Sequence, residues 1–254
     1  MKLIAVSKSN IASQNIGSFL EPFEDVMLKF FHQGVLEFDF LENFIPKPEL
    51  LVIPSSHSST AGKPMLSVHA TGNWGEAKLG GKPRKLSIAP ALWIARILQE
   101  LADAAKENNL KYEVGLEVTH HGPTIEIPVL FVEIGSSQKE WSDLEACGII
   151  ANCIKKVLKE GVNGMQKENI CFGFGGPHYA PNFTKRVLSG KFVVGHICPK
   201  YHINNLDESL FIQAYEKTTP KPNFAVLDWK GLKADERNKL LTLLKKYKIS
   251  WEKI

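Results

Sequence analysis

Short apolar runs of strand length alternate with longer amphipathic segments along this whole chain, and no linker, repeat or low-complexity tract separates them. The runs fall at residues 2–6, 50–53, 66–69, 112–118, 129–134, 169–174, 192–197 and 224–227. Helical spacing of apolar residues occupies about 11–20, 90–107, 139–159, 181–189, 207–217 and 234–247. Strands that alternate with helices bury both faces of a sheet, which predicts an α/β architecture: a mixed, largely parallel sheet with helices on both faces. The 254 residues, 44% of them hydrophobic, suffice for a sizeable core. No strong boundary is visible, so residues 1–254 are expected to form a single domain, with a Gly-rich basic excursion near 72–85.

Charge and composition exclude some classes. A net charge of +4 and a pI near 8.7 permit a polyanionic partner without requiring one. No run approaches the length of a membrane span, and the first residues, MKLIAVSKSN, read as a first strand rather than a signal peptide. Cys147, Cys153, Cys171 and Cys198 show no C-x-x-C spacing, so free thiols in a reducing cytoplasm are expected. No obligatory protein partner is evident, and a monomer is expected.

Polar residues recur where apolar runs end: Pro54-Ser55-Ser56-His57, His69-Ala70-Thr71, Thr119-His120-His121, Glu133-Ile134-Gly135, and Gly173 to His178. Ligands of open α/β sheets bind outside the carboxyl ends of strands, so these groups are expected to converge on one edge. Glu133 is a lone carboxylate in the run Val129 to Ile134, and a polar site there would account for it. The bland readings stand beside this: a lone strand-end histidine is more often structural, and Glu133 could pair with a lysine or cap the next helix. There is no G-x-G-x-x-G, Walker, G-x-S-x-G or H-E-x-x-H motif. His and Glu from separate strand ends are nevertheless residue types that zinc takes in catalytic sites.

The strand-end argument puts His120, His121 and Glu133 at the centre of the site, with His57 and His178 nearby. His57, His120, Glu133 and His178 are the candidate metal ligands. Adjacent strand residues face opposite ways, so one of His120 and His121 is expected to be a ligand and the other a substrate contact, unless Gly122-Pro123 turns the chain. Candidate substrate or RNA contacts are His69, Asn73 and Trp74, the cations Lys82, Arg84 and Lys85 beside Lys78, and Gly175 and Gly176, whose backbone N–H groups can approach a ligand closely.

Five segments together resemble one family, the archaeal and plant type of D-aminoacyl-tRNA deacylase. They are SSHSST (55–60), LSVHATGNW (66–74), EVTHHGPT (117–124), EIGSS (133–137) and GFGGPHYAP (173–181). The resemblance implies hydrolysis of the ester joining a D-amino acid to tRNA, with zinc as cofactor. It also implies a phosphorylase/hydrolase-like fold related to peptidyl-tRNA hydrolase. It does not say which residues hold metal. An activated water, oxyanion stabilisation and a proton for the leaving ribose hydroxyl are the needs of such a reaction, and Glu133 could be a ligand or the base that orients the water. Alternatives are a metal-dependent peptidase or N-acyl hydrolase, and a non-catalytic RNA-binding protein.

Overall fold

The computed structural model describes residues 1–60, 62–165 and 168–254. Its strands are β1 (Lys2–Ser7), β2 (Val26–Phe31), β3 (Leu50–Ser58), β4 (Met65–His69), β5 (Ala89–Pro90), β6 (Glu113–Leu116), β7 (Val129–Ser136), β8 (Ile170–Phe174), β9 (Val193–Cys198), β10 (Thr218–Thr219), β11 (Phe224–Leu227) and β12 (Ser250–Lys253). Its α-helices are α1 (Ile11–Gly17), α2 (Ala91–Glu107), α3 (Gln138–Trp141), α4 (Leu144–Glu160), α5 (Pro181–Leu188), α6 (Glu208–Glu216) and α7 (Ala234–Lys246).

The alternation does produce an α/β architecture, but with two main sheets. One has the order β2-β1-β3-β7-β4-β6 and the other β12-β11-β8-β9, while β5 and β10 form a short ribbon. The second sheet is parallel throughout. In the first, β2, β1, β3 and β7 run together, whereas β4 runs against β7 and β6 runs with β4. Helix α2 packs against β4 and β6 of the first sheet and β9 of the second. Its fully buried Ile97, Leu98 and Leu101 share a core with Val68, Leu116 and Val194. Replacing Leu98 by Ala would leave a cavity there and cost about 2–5 kcal/mol. Among the described residues, no helix is long and apolar enough to cross a membrane.

Two edge strands escape sequence reading. Strand β2 is mostly half-exposed or exposed, and β12, Ser-Trp-Glu-Lys, is exposed throughout. Strand β12 lacks the apolar run that marks a buried strand, whereas β2 is Val-Met-Leu-Lys-Phe-Phe, an apolar run broken by one lysine. The single helix expected over 139–159 is broken: Ser137 caps α3, and Asp143 starts α4 afresh by accepting the Ala146 N–H at 3.0 Å.

Strand alternation decides where the site lies. Leu130, Val132 and Ile134 of β7 face the core with Val52, Leu66 and Val68, beneath α1, α2 and α4. The opposite face is apolar for half its length, where Leu51, Ile53, Val129 and Phe131 meet a 3-10 helix, Val35–Asn43. Two residues further along each strand the same face turns polar, with Ser55 and His57 on β3, Glu133 on β7, and Ser67 and His69 on β4. In register, Ser55 flanks Glu133 on one side and Ser67 flanks it on the other.

Candidate active site

The expectation of a site at one carboxyl edge requires correction. Strand β4 lies between β7 and β6 and is antiparallel to β7, so the strand carrying Glu133 does not neighbour the strand that leads into His120. The side chains meet on the face of the sheet instead. His57, His69, His120, His121, His178 and Glu133 all converge there. Glu117 joins them, a residue that stands out in the sequence only as the first member of EVTHHGPT.

The segment Glu117 to Gly122 is held from several sides. Val118 donates its N–H to the His178 carbonyl at 2.9 Å, and Thr119 donates to the Ile197 carbonyl at 3.0 Å. Trp74 is 1% exposed, and its indole N–H supports the same segment through the Thr119 carbonyl at 3.0 Å. This burial removes Trp74 from the candidate RNA contacts. His121 has φ +43°, a left-handed backbone that histidine seldom adopts. The chain therefore does turn at this point, and both His120 and His121 reach the cluster. Gly122 permits the turn: a Cβ there would lie 2.4 Å from the Gly81 nitrogen, so only glycine allows residues 79–81 to lie against it.

Three imidazoles share one hydrogen-bonding pattern. The Nδ1 of His69 faces its neighbour's Ala70 carbonyl at 3.1 Å, that of His120 the Val118 carbonyl at 2.8 Å, and that of His121 the Gly122 carbonyl at 2.6 Å. Each Nδ1–H is thus a donor to backbone, which leaves the Nε2 of His120 and of His121 as a lone-pair acceptor and that of His69 to hold either a proton beside Glu133 or a metal in its place. The ligand atoms of the three lie within 4.8 Å of one another. The His69 Nε2 is buried with no hydrogen-bond partner, a costly state for a polar atom unless a ligand occupies it. The Glu133 carboxylate stands beside them, 3.6 Å from His69 Nε2 and 4.0 Å from His121 Nε2. Phe131 forms the floor, with its ring stacked on His69 at 5.4 Å.

A second trio is built differently. His178 Nε2 meets Glu117 at 2.6 Å, and its Nδ1 meets the Tyr201 hydroxyl at 3.2 Å. His57 Nε2 meets the Tyr179 hydroxyl at 2.9 Å, while its Nδ1 lies 3.3 Å from Glu117 and 3.7 Å from Glu133. Ser67 Oγ donates to Glu117. His57, Glu117 and His178 also form a group whose ligand atoms are close enough for an ion, but their nitrogens already have partners. The sequence-based ligand set thus splits, with His120 in the open trio, His57 and His178 in the other and Glu133 between them, and His69, expected to contact substrate, belongs with the open one.

Electrostatics separates them as well. Burial would lower the His57 pKa, yet hydrogen bonds to Glu117 and Glu133 raise it to about 11, so His57 is a buried cation between two carboxylates. Burial opposes ionisation of Glu133, but His57 and His69 hold it down to about 2. Glu117 is likewise kept well below the usual carboxylate range, against burial, by His178 and His57. Burial and the positive His69 push His121 down to about 4 and His120 well below its ordinary value. Both are neutral at pH 7, the form that binds metal. His69 itself is raised, its burial outweighed by Glu133.

Two hollows open onto this cluster. A cavity of about 310 Å³ is lined by Asn10, Val35, Leu36, Ser55 to Ser58, Glu133 and His178. A larger one of about 590 Å³ is lined by Asn73, Gly75, Lys78, Arg84, His202 and Asn205. Leu79, His120 and His121 line both.

The segment 72–85 is less of a free excursion than expected. Asn73 donates to the Gly80 and Lys82 carbonyls, and Arg84 is paired with Asp207 and donates to the Asn205 carbonyl at 3.0 Å. Lys82 and Lys85 are exposed. Gly175 and Gly176 pack against Asp228 and line neither hollow, which leaves them a structural turn.

A family model for D-aminoacyl-tRNA deacylase matches residues 44–252. The D-aminoacyl-tRNA deacylase of Thermococcus kodakarensis is 35% identical, over 93% of this chain and 94% of that protein. The D-aminoacyl-tRNA deacylase of Methanosarcina mazei is 40% identical, over 78% of this chain and 64% of that protein. A crystal structure of a conserved protein of unknown function superposes with a TM-score of 0.88 at 25% identity, covering 100% of this chain and 95% of the other.

Proposed function

The chain belongs to the D-aminoacyl-tRNA deacylase family, and from that premise we propose that its histidine cluster hydrolyses the ester of D-aminoacyl-tRNA with a zinc ion held by His69, His120 and His121. One observation carries the metal assignment: three imidazoles commit Nδ1 to backbone carbonyls and turn their Nε2 atoms toward one another, one of them buried and unpartnered. Three histidines are a ligand set that zinc takes in catalytic sites. Zinc bound there supplies a Lewis acid that polarises the ester carbonyl and brings water near neutrality in pKa.

The remaining chemistry falls to side chains. Glu133 is ionised beside the same Nε2 atoms, so it can orient the attacking water and take its proton. His178 is the more exposed imidazole of the second trio. Glu117 accepts from its Nε2–H, and in the imidazolium form its Nδ1–H, beside the Tyr201 hydroxyl, can pass a proton to the leaving ribose oxygen and regain one from solvent after turnover. His57 stays protonated and neutralises the two buried carboxylates, which keeps both ionised at low net charge.

The test is release of tyrosine from D-Tyr-tRNA and L-Tyr-tRNA, with chelator and with zinc restored. Rapid loss of the D ester, abolition by chelator and recovery with zinc are expected. Equal rates on both enantiomers would overturn the proofreading role, and full activity after chelation would overturn the zinc assignment.

A further inference from the structure

Because both hollows end at His120 and His121, an ester that reaches these histidines has one of its two halves on each side. We infer that the larger hollow is the binding site for the 3′-terminal nucleoside of the tRNA and the smaller one takes the aminoacyl group, with Leu79 as the divider. This rests on the deacylase reading.

Three observations set the direction. First, only the nucleoside half is joined to the rest of a polyanion, so its hollow must open toward cations. Lys78 lines the larger hollow with its side chain 81% exposed, although Glu76 lies 3.2 Å from it. Lys82 and Lys85 are exposed on the same segment, and Lys200, next to Tyr201 in the chain, is exposed as well. Cations of this kind track a phosphate backbone.

Second, the larger hollow carries groups suited to a base. His202 and Asn205 line it and meet through Asn205 Nδ2 and His202 Nδ1 at 3.0 Å. The His202 ring is packed at 5.0 Å against that of Tyr201, which is 53% exposed. An amide beside aromatic rings offers both hydrogen bonds to a base edge and a stacking surface.

Third, the smaller hollow has the chemistry of an amino acid. Val35 and Leu36 give it an apolar wall, and Asn10, Ser56 and Glu133 give it a polar one. Asn10 already donates to Ser56 Oγ at 2.9 Å, which fixes that wall in place.

Gly75 gives a steric handle on the nucleoside site. A Cβ there would lie 2.9 Å from Asn205 Nδ2, the far end of a flexible side chain, so Gly75→Val fills the hollow at little cost to the fold. The two halves of the substrate can be tested separately as inhibitors of D-Tyr-tRNA hydrolysis by the zinc-loaded full chain. Adenosine 5′-monophosphate stands for one half and D-tyrosinamide for the other. Gly75→Val, and independently Asn205→Ala, should raise the Ki of the nucleotide about tenfold or more and shift that of D-tyrosinamide less than about twofold. Leu36→Trp should do the reverse. In the wild type the two inhibitors should bind together rather than exclude each other. Mutual exclusion, the opposite pairing of variants and inhibitors, or no inhibition by the nucleotide overturns the assignment. Wild-type protein that leaves D-Tyr-tRNA intact overturns the deacylase reading itself, a different result.

Discussion

The two trios lie side by side on one sheet face, yet they solve the problem of buried imidazoles in opposite ways. His69, His120 and His121 spend Nδ1 on backbone carbonyls and leave Nε2 open. His57 and His178 spend both nitrogens on side chains of Glu117, Tyr179 and Tyr201. The first arrangement is incomplete without a ligand, and the second is complete as it stands. The lesson is that histidine count does not define a metal site; the remaining lone pairs do.

Glu133 offers the strongest way to break this contrast, because it touches both trios, 3.6 Å from His69 and 3.7 Å from His57. Glu133→Gln keeps the shape and removes the base, and should lower kcat about 10²–10⁴-fold. Its circular dichroism and its tRNA affinity should stay near those of the wild type. Wild-type deacylation by this variant would assign Glu133 a structural role.

The trios should also part in zinc affinity. His69→Ala or His121→Ala is expected to weaken zinc binding about 100-fold or more, whereas His57→Ala and His178→Ala should retain stoichiometric metal while losing turnover. Metal content after dialysis against a chelator of known affinity measures this. Loss of zinc from the second pair, with retention in the first, would reverse the assignment.

A smaller effect concerns stability of the metal-free protein. His57 is raised from 6.5 to about 11, so its contribution is fully present below pH 6.5 and is lost as pH rises toward 11. His121 is lowered from 6.5 to about 4. The folded chain therefore resists its protonation, and stability falls as pH drops from 6.5 toward 4. Glu133 adds to the acid loss as pH falls from 4.5 toward about 2. For these groups the optimum lies near pH 6.5, and thermal unfolding with chelator at about pH 5, 6.5 and 9 should show the middle value highest. A melting temperature that rises steadily across this range would contradict the buried His57 cation.

The smallest effect lies outside both trios. Arg84 is already paired with Asp207 and Lys78 has Glu76 beside it, so Lys82 and Lys85 are the least encumbered cations of the basic segment to meet phosphate. Neutralising both should reduce the salt slope of tRNA binding by about 0.7–0.9 for each phosphate that no longer meets a lysine, with kcat little changed. An unchanged slope would make them solvated lysines.

Much of this was legible in the chain because strands and helices announce themselves by period. Strand β11 and the helices α2, α5 and α7 fall within about two residues of their expected positions, and the polar ends of apolar runs mark histidines that converge in the fold. Glu117 was overlooked although it carries the same signal as Glu133, a carboxylate between Leu116 and Val118. Applied evenly, the rule that flagged one flags the other. Strand order is a different matter. Nothing local to residues 65–69 says that β4 inserts antiparallel between β7 and β6, because pairing partners are set by tertiary packing and not by the strand's own pattern. The choice between the trios was equally hidden, since it depends on which ring nitrogen meets a carbonyl.

The insertion of β4 also bears on how the chain is made. The proposed zinc ligands come from residues 69, 120 and 121, the proposed base from 133, and the proposed proton donor from 178. During synthesis from the N-terminus, a chelating set therefore exists on paper long before the proton donor has been translated. His69 meets His120 and His121 only once β4 has paired with β6 and Thr71 has bridged to His120, and Glu133 joins them when β7 lies against β4. The proposed ligand set is thus a product of long-range closure rather than of any local segment.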